Sequence, residues 1–330
     1  MKTEISTDRN AAVELLRAGE IVALPTETVY GLAATALDPI AVAKIFEAKE
    51  RPRFDPLIVH LPDRDWLEKV VDLASEDRQL IFRLLDKFWP GPFTIVLPKK
   101  PNIPEIVTSG LETVAVRISA HPVFAEIIRA FGAPLAAPSA NQFGHISPTT
   151  AQHVFEELNG RIPLIIDGGA TSHGIESTIV SIRAGKIDIL RRGPITAEVL
   201  SIFGAKIDIA DSPARISAPG QLPSHYAPKT PLRLIDNVKS FAPEKNRRVG
   251  LLAWEPIEID SRFAAVRNLS ERQDLREAAA NLFRYLRELD ALDVDLIVAE
   301  RVPENGLGAA VMDRLRRASQ RAIDARAQRR

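Results

Sequence analysis

The chain predicts an α/β fold in two domains, and three observations carry that prediction. Its 330 residues exceed what one hydrophobic core usually organises. Short β-branched and apolar runs alternate with stretches of helical apolar spacing, the pattern of strands and helices layered about a sheet. A stretch from about Ile209 to Lys229 holds four prolines and one glycine and reads as an extended linker. The expected boundaries are therefore 1–208, a proline-rich linker or lid at 209–229, and 230–330.

In chain order, Asp8 to Ala18 carries Ala12, Val13, Leu15 and Leu16 at helical spacing, with Thr7 or Asp8 as N-cap and Gly19 as the stop. Ile21-Val22-Ala23 then reads as a buried strand that delivers Leu24-Pro25-Thr26-Glu27-Thr28-Val29-Tyr30-Gly31-Leu32 to a sheet end, where α/β proteins place ligands. Two hydroxyls, a carboxylate and a phenol there offer convergent groups to a small polar molecule. The competing reading is an ordinary strand-to-helix turn with threonine capping. A second helix starts at Asp38-Pro39 and ends in Lys49-Glu50-Arg51-Pro52-Arg53-Phe54-Asp55-Pro56. Three cations fixed by two prolines suit a polyphosphate or carboxylate, against the alternative of a solvated loop. Leu57 to Leu61 follows as a strand.

A helix from Asp77 to Phe88 leads into the tight turn Trp89-Pro90-Gly91-Pro92 and the strand Thr94 to Leu97. Thr113 to Ile118 alternates strictly, placing Thr113, Ala115 and Arg117 on one face. A helix spans Pro122 to Ala130. The apolar strand Pro134 to Ala137 then opens into Pro138-Ser139-Ala140-Asn141 and Gly144-His145-Ile146-Ser147. Leu164 to Gly169 and Gly174 to Val180 repeat that pattern. Hydroxyls at four strand mouths and arginines at two predict one shared cavity.

Beyond the linker, Leu232 to Ile235, Val249 to Leu252 and Leu296 to Ala299 read as strands, with a helix from Asp274 to Leu289 and a terminal helix from Ala309. This alternation predicts a small Rossmann-like parallel sheet. The last helix is rich in arginine from Arg314 onward, and Asp313 and Asp324 favour a solvated face over an RNA-binding stripe.

Composition narrows the classes. Hydrophobic residues make up 45% and charged residues 26%, globular values, and no apolar run reaches the roughly 20 residues of a membrane span. Lysine plus arginine and aspartate plus glutamate stand at 43 each, so no global field holds nucleic acid. Cysteine is absent, which removes disulfides, thiolate metal sites and a thiol nucleophile. Met1-Lys2-Thr3-Glu4-Ile5 shows no export pattern, and a cytoplasmic location is expected. There is no Walker-type loop, no G-x-S-x-G elbow and no metal spacing among the six histidines, so charge stabilisation and positioning is the expected mode of chemistry.

One set of motifs carries a resemblance: Pro25 to Leu32, Lys49-x-Arg51-Pro52, Pro56 to His60, Trp89 to Pro92, Ala137 to Asn141, Glu176-Ser177-Thr178 and Arg192-Gly193-Pro194. Together they resemble the threonylcarbamoyl-AMP synthases, the YrdC-type enzymes of tRNA modification, in their long form because His225-Tyr226-Ala227-Pro228 and a second α/β unit follow. The resemblance implies a twisted mixed sheet around a basic cavity. It also implies synthesis of threonylcarbamoyl-AMP and pyrophosphate from L-threonine, bicarbonate and ATP with Mg²⁺. Partner proteins then transfer the product to adenosine 37 of tRNAs that read codons beginning with adenine; direct tRNA binding stays open. Carried over, Thr28, His60, Arg117 and Ser177 hold threonine. Arg51, Asp55, Thr113, Ala137, Ser139, Ser147, Arg191 and Tyr226 contact the nucleotide. Lys49, Arg51, Ser139 and Asn141 surround the phosphates as the catalytic cluster, and no protein-held metal site is implied. Asp55 departs from the usual Asn of that family, which puts a negative charge near a polyanion. The rival readings are a hydrogenase-maturation carbamoyltransferase, whose cysteine modules are missing here, and an RNA-binding module, which the neutral charge disfavours.

Overall fold

A computed structural model describes residues 2–73, 76–209, 218–219, 226–257 and 260–327, with side chains to 320. Among the described residues there are fifteen strands: β1 (Glu4–Ser6), β2 (Val22–Leu24), β3 (Gly31–Thr35), β4 (Ile58–His60), β5 (Phe93–Pro98), β6 (Thr113–Arg117), β7 (Leu135–Ala136), β8 (Leu164–Ile166), β9 (Thr178–Arg183), β10 (Lys186–Arg191), β11 (Lys206–Ile209), β12 (Leu232–Ile235), β13 (Val249–Ala253), β14 (Ala265–Asn268) and β15 (Leu296–Glu300). They form an 11-stranded mixed sheet, ordered β1-β8-β2-β3-β7-β4-β6-β5-β9-β10-β11, and a separate four-stranded sheet, ordered β12-β15-β13-β14. The chain packs as two compact units, one of residues 1–143, 148–172 and 176–221, the other of 144–147, 173–175 and 222–330. Most of the proposed linker, residues 210–217 and 220–225, lies outside the described residues.

In the first unit, alternation along the central strands sorts side chains onto two faces. Val59, Val114, Val116, Ile95, Leu97 and Val180 enter the main core. Helices Pro39–Lys49 and Arg78–Phe88 press Val42, Ile45, Ile81, Leu84 and Leu85 onto the same core. Asp38 caps the first of these helices through the Ile40 N–H, and Glu50 ends it in a left-handed conformation at φ 53°. On the opposite face Ile58, Val96, Ala115 and Ile179 form a much smaller cluster with Ala218 and Leu190. That face therefore keeps room for polar side chains.

The competing reading of the first turn is excluded. Residues 25–30 join two strands, not a strand and a helix, because β2 and β3 pair antiparallel with Leu24 opposite Gly31. Tyr30 does not join the convergent polar set, since its hydroxyl donates to the Gly169 carbonyl at 2.8 Å.

In the second unit all three strand pairings are parallel. Glu300, buried at the end of β15, accepts the backbone N–H groups of Val238, Trp254 and Glu255 at 3.0 Å each, and so fills the carboxyl edge where open α/β sheets usually bind ligands. β14 had no sequence signal: Ala265-Val266-Arg267-Asn268 is a half-buried edge strand without clear alternation. The terminal helix, Leu307–Ala327, corrects a second expectation. Arg314 is fully buried, with its guanidinium 5.4 Å from the Tyr226 ring, so this part of the helix is no solvated face.

Candidate active site

Register places several candidate residues on the face of the first unit's sheet that carries the smaller apolar cluster. In the parallel pair β4–β6, His60 sits opposite Arg117 and Ile58 opposite Ala115. In the antiparallel pair β5–β6, Val96 faces Ala115, and one further step along the ladder sets Thr94 at the level of Arg117. Thr94 Oγ1 is 2.8 Å from Ser177 Oγ. One end of the face thus gathers His60, Arg117 and Ser177. Thr113 lies four residues away on β6, about 13 Å at the usual rise per residue.

Arg117 is 3% exposed and held on three sides. Its Nε donates to the Gly91 carbonyl at 3.1 Å, its Nη1 to Thr28 Oγ1 at 3.0 Å, and its Nη2 lies 2.6 Å from Glu27 Oε1. Nη1 keeps a second N–H, and Nη2 stands in an ion pair without a hydrogen bond, so both terminal nitrogens retain N–H groups for a carboxylate. Thr26 orders the turn that carries Thr28: its Oγ1 donates to the Val29 carbonyl at 2.6 Å, accepts the Thr28 and Val29 N–H groups at 3.1 and 3.2 Å, and lies 2.8 Å from Thr28 Oγ1. His60 is buried against Phe124, ring centroids 4.8 Å apart, with Nδ1 lacking a hydrogen-bond partner. Burial, with the Arg117 charge added, drops its pKa to about 3, so the ring is neutral.

The other end is cationic and buried. Lys49, 1% exposed, donates from Nζ to the Ser139 carbonyl at 2.6 Å and to the Asn141 carbonyl. Burial and the neighbouring Arg51 pull its ammonium well below the usual lysine range, against the Asp55 and Glu157 carboxylates. Arg51 binds the carbonyls of Asp55 and Pro56 at 3.1 and 2.9 Å, and its Nη2 stands 2.8 Å from Asp55 Oδ2. Asp55 is fully buried; burial raises its pKa while Arg51, Lys49 and Arg191 oppose the shift. The loop read as a rigid basic turn is therefore split, with Lys49 and Arg51 inside and Arg53 in solvent. Arg191 reaches Ser177 Oγ at 3.0 Å and links this cluster to the opposite end.

The first unit thus brings together Thr28, His60, Arg117 and Ser177, and separately Lys49, Arg51, Asp55, Ser139, Asn141 and Arg191. Ala137 is buried beside them, donating its N–H to the Ile58 carbonyl at 2.9 Å. Ser147 and Tyr226 fall in the second unit. There Tyr226 is stacked on Phe283 at 5.4 Å and adopts a left-handed backbone, φ 64°. Sequence reasoning passed over Gly91, Thr94 and Ser119 as supports of the site, and quoted Glu27 without a role. Their partners are distant in sequence, and no local spacing reports them. Among the described residues no cluster of three or more potential metal ligands occurs.

Comparison with known proteins decides the family. A family profile described as "Telomere recombination" (Sua5, YciO and YrdC) matches residues 14–193, and "Threonylcarbamoyl-AMP synthase, C-terminal domain" matches residues 195–320. The chain belongs to the threonylcarbamoyl-AMP synthase family. The threonylcarbamoyl-AMP synthase of Bacillus subtilis is 42% identical over 322 residues, 93% of this chain and 92% of that one. That of Pyrococcus abyssi is 39% identical over 330 residues, 93% of both. The structure of P. abyssi Sua5 complexed with L-threonine superposes with a TM-score of 0.86 at 36% identity, covering 98% of each chain.

Within this synthase family scaffold, Arg192-Gly193-Pro194 has a steric role. A Cβ on Gly193 would stand 2.4 Å from the Thr178 nitrogen and 2.6 Å from the Glu176 carbonyl, both backbone atoms that hold Ser177 in place. Gly193→Ala is expected to cost about 1–3 kcal/mol by overpacking, lowering the melting temperature by roughly 2–10 °C. Thermal unfolding followed by circular dichroism checks this. An unchanged melting temperature would mean that the strand yields.

Proposed function

We infer that the chain makes L-threonylcarbamoyladenylate from L-threonine, bicarbonate and ATP, releasing pyrophosphate. The observation that carries this is the pairing of a buried arginine fork, Arg117 beside Thr28 and His60, with the buried cations Lys49 and Arg51, one anchor for a carboxylate and one for a polyphosphate as an amino-acid adenylate requires. Threonine's carboxylate meets Arg117, its other polar groups meet the Thr28 hydroxyl and the neutral ring of His60, and Ser177 closes the pocket. The carbamate formed from its amine and bicarbonate attacks the α-phosphate, so no protein nucleophile is needed. Lys49, Arg51 and Arg191 surround the phosphates, while Ser139 and Asn141 hold Lys49 through their carbonyls. Thr113, Ala137, Ser147 and Tyr226 complete the nucleotide contacts in this reading.

Mg²⁺ suits such a site because it travels with the triphosphate and needs one or two protein carboxylates; bound there, it neutralises charge on the leaving group. Asp55 fits that part, since Arg51 pairs with its Oδ2 at 2.8 Å while its Oδ1 is buried without a partner. Asp55→Asn keeps an acceptor for Arg51 and removes only the charge. At saturating magnesium we expect ATP affinity to change by no more than about three-fold. A tightening of ten-fold or more, measured by titration, would show that the carboxylate repels the phosphates and is not a ligand.

The linker is proposed to act as a lid that keeps water from the labile adenylate. In support, Ala218 packs fully buried against Ile58, Val96, Ala115 and Ile179, and the Pro219 carbonyl accepts from Arg191 at 3.5 Å. The product then passes to partner proteins that modify tRNA. The reading as a whole is tested by pyrophosphate release from ATP: it should require both threonine and bicarbonate, and release without threonine would overturn it.

A further inference from the structure

Glu27 has no place in the reaction as read above, yet it is 7% exposed and makes the shortest contact to Arg117. Its carboxylate is divided between two tasks. Oε1 lies 2.6 Å from Arg117 Nη2, and Oε2 accepts the hydroxyl proton of Ser119. Ser119 is itself anchored, because its oxygen accepts the His121 N–H at 3.2 Å. The backbone of Glu27 is pinned as well, its carbonyl accepting from Ser172 Oγ at 3.2 Å. A chain of contacts therefore runs from the start of helix Pro122–Phe131 through Ser119 and Glu27 to the guanidinium, which Gly91 and Thr28 hold from the other two sides.

Two physical consequences follow. A guanidinium at 3% exposure needs a counter-ion, since an unpaired buried charge costs several kcal/mol. Glu27 supplies it, and the pocket stays neutral overall for a substrate that is itself a zwitterion. Hydrogen bonds use up Nε and one N–H of Nη1, and the ion pair holds Nη2 against Glu27, so the direction of the guanidinium is set by Glu27, Thr28 and Gly91 together. Burial opposes ionisation of Glu27, but Arg117 and Ser119 outweigh it and bring its pKa down to about 2, so this arrangement persists throughout the neutral range.

We propose that Glu27, anchored by Ser119, is a positioning residue that aims Arg117 at the substrate carboxylate and thereby sets affinity for the amino acid without touching it. This rests on the reading that Arg117 holds threonine, and the experiment separates the two claims. Initial rates of adenylate formation are measured at varied threonine and varied ATP for Glu27→Ala, Glu27→Gln, Ser119→Ala, Arg117→Ala and the Glu27→Ala/Arg117→Ala double variant. If Arg117→Ala alone leaves the threonine KM unchanged, the underlying reading fails.

If that reading holds, Glu27→Ala should raise the threonine KM about ten-fold, the size of one charge-assisted hydrogen bond, while the ATP KM moves less than about two-fold. Glu27→Gln, which keeps an acceptor for Arg117, should stay within about three-fold of the parent protein; Ser119→Ala should show a threonine-selective rise of at least about three-fold. In the Arg117→Ala background, Glu27→Ala should add less than about two-fold, because the group it acts through is gone. A purely structural Glu27 would instead lower the melting temperature and alter both KM values equally, or cost the same in both backgrounds. Either result overturns the proposal, as does a normal threonine KM in Glu27→Ala. Should Glu27→Ala fail to fold, Ser119→Ala with a threonine-selective rise supports the proposal, and one without it refutes it.

Discussion

Arg117→Ala should bind threonine about 10- to 200-fold more weakly, with ATP affinity nearly unchanged. The range follows from a charge-assisted hydrogen bond of roughly 1.5–3 kcal/mol. The structure sharpens the expectation: the guanidinium is held by Gly91, Thr28 and Glu27, so little order remains to be gained on binding and most of that energy reaches the substrate. Removing it also leaves Glu27 as a buried carboxylate without its cation, so the variant should melt at a lower temperature. Lys in place of Arg117 should recover little, because one ammonium cannot reproduce the three fixed contacts. Calorimetric titration of threonine into the folded variant checks this, and normal affinity would remove Arg117 from the substrate site.

Lys49→Ala should lose more, about 100- to 1,000-fold in kcat, the loss seen when one preorganised donor to a developing charge is removed. Nζ is held by the Ser139 and Asn141 carbonyls, and burial with Arg51 beside it lowers its pKa. A bound polyphosphate reverses that pressure by bringing negative charge to the ammonium. The alkaline limb of the rate profile should therefore move to higher pH at saturating ATP than at low ATP, since the folded-state pKa rises on binding. A variant with unaltered kcat and raised KM for ATP would mean that Lys49 binds the ground state without helping the reaction.

Much of this was legible in the sequence because the informative residues sit where periodicity is strict. Alternation through Thr113, Ala115 and Arg117 put the arginine on the face it shares with His60, and the Asp38-Pro39 start and the Lys49 end of the second helix are where the caps demanded. What stayed hidden depends on long-range pairing. Nothing local shows that Glu27 meets Ser119 and Arg117 some 90 positions away, or that the Gly91 carbonyl in Trp89-Pro90-Gly91-Pro92 receives Arg117 Nε. The turn at residues 25–30 stayed ambiguous for the same reason, as a polar turn after a buried strand fits either a following helix or an antiparallel partner. Arg314 was taken for a surface residue because its neighbours are charged, whereas its guanidinium is buried over the Tyr226 ring.

The most direct measurement is the fate of bicarbonate carbon. With ATP, magnesium, radiolabelled bicarbonate and L-threonine, the account predicts one labelled adenylate that contains threonine, forming together with pyrophosphate and vanishing when threonine is left out. Carbamoyl phosphate labelled at its carbonyl carbon, supplied in place of threonine and labelled bicarbonate, should give no labelled adenylate. A labelled adenylate from carbamoyl phosphate, or none under either condition with folded protein, would contradict the assignment.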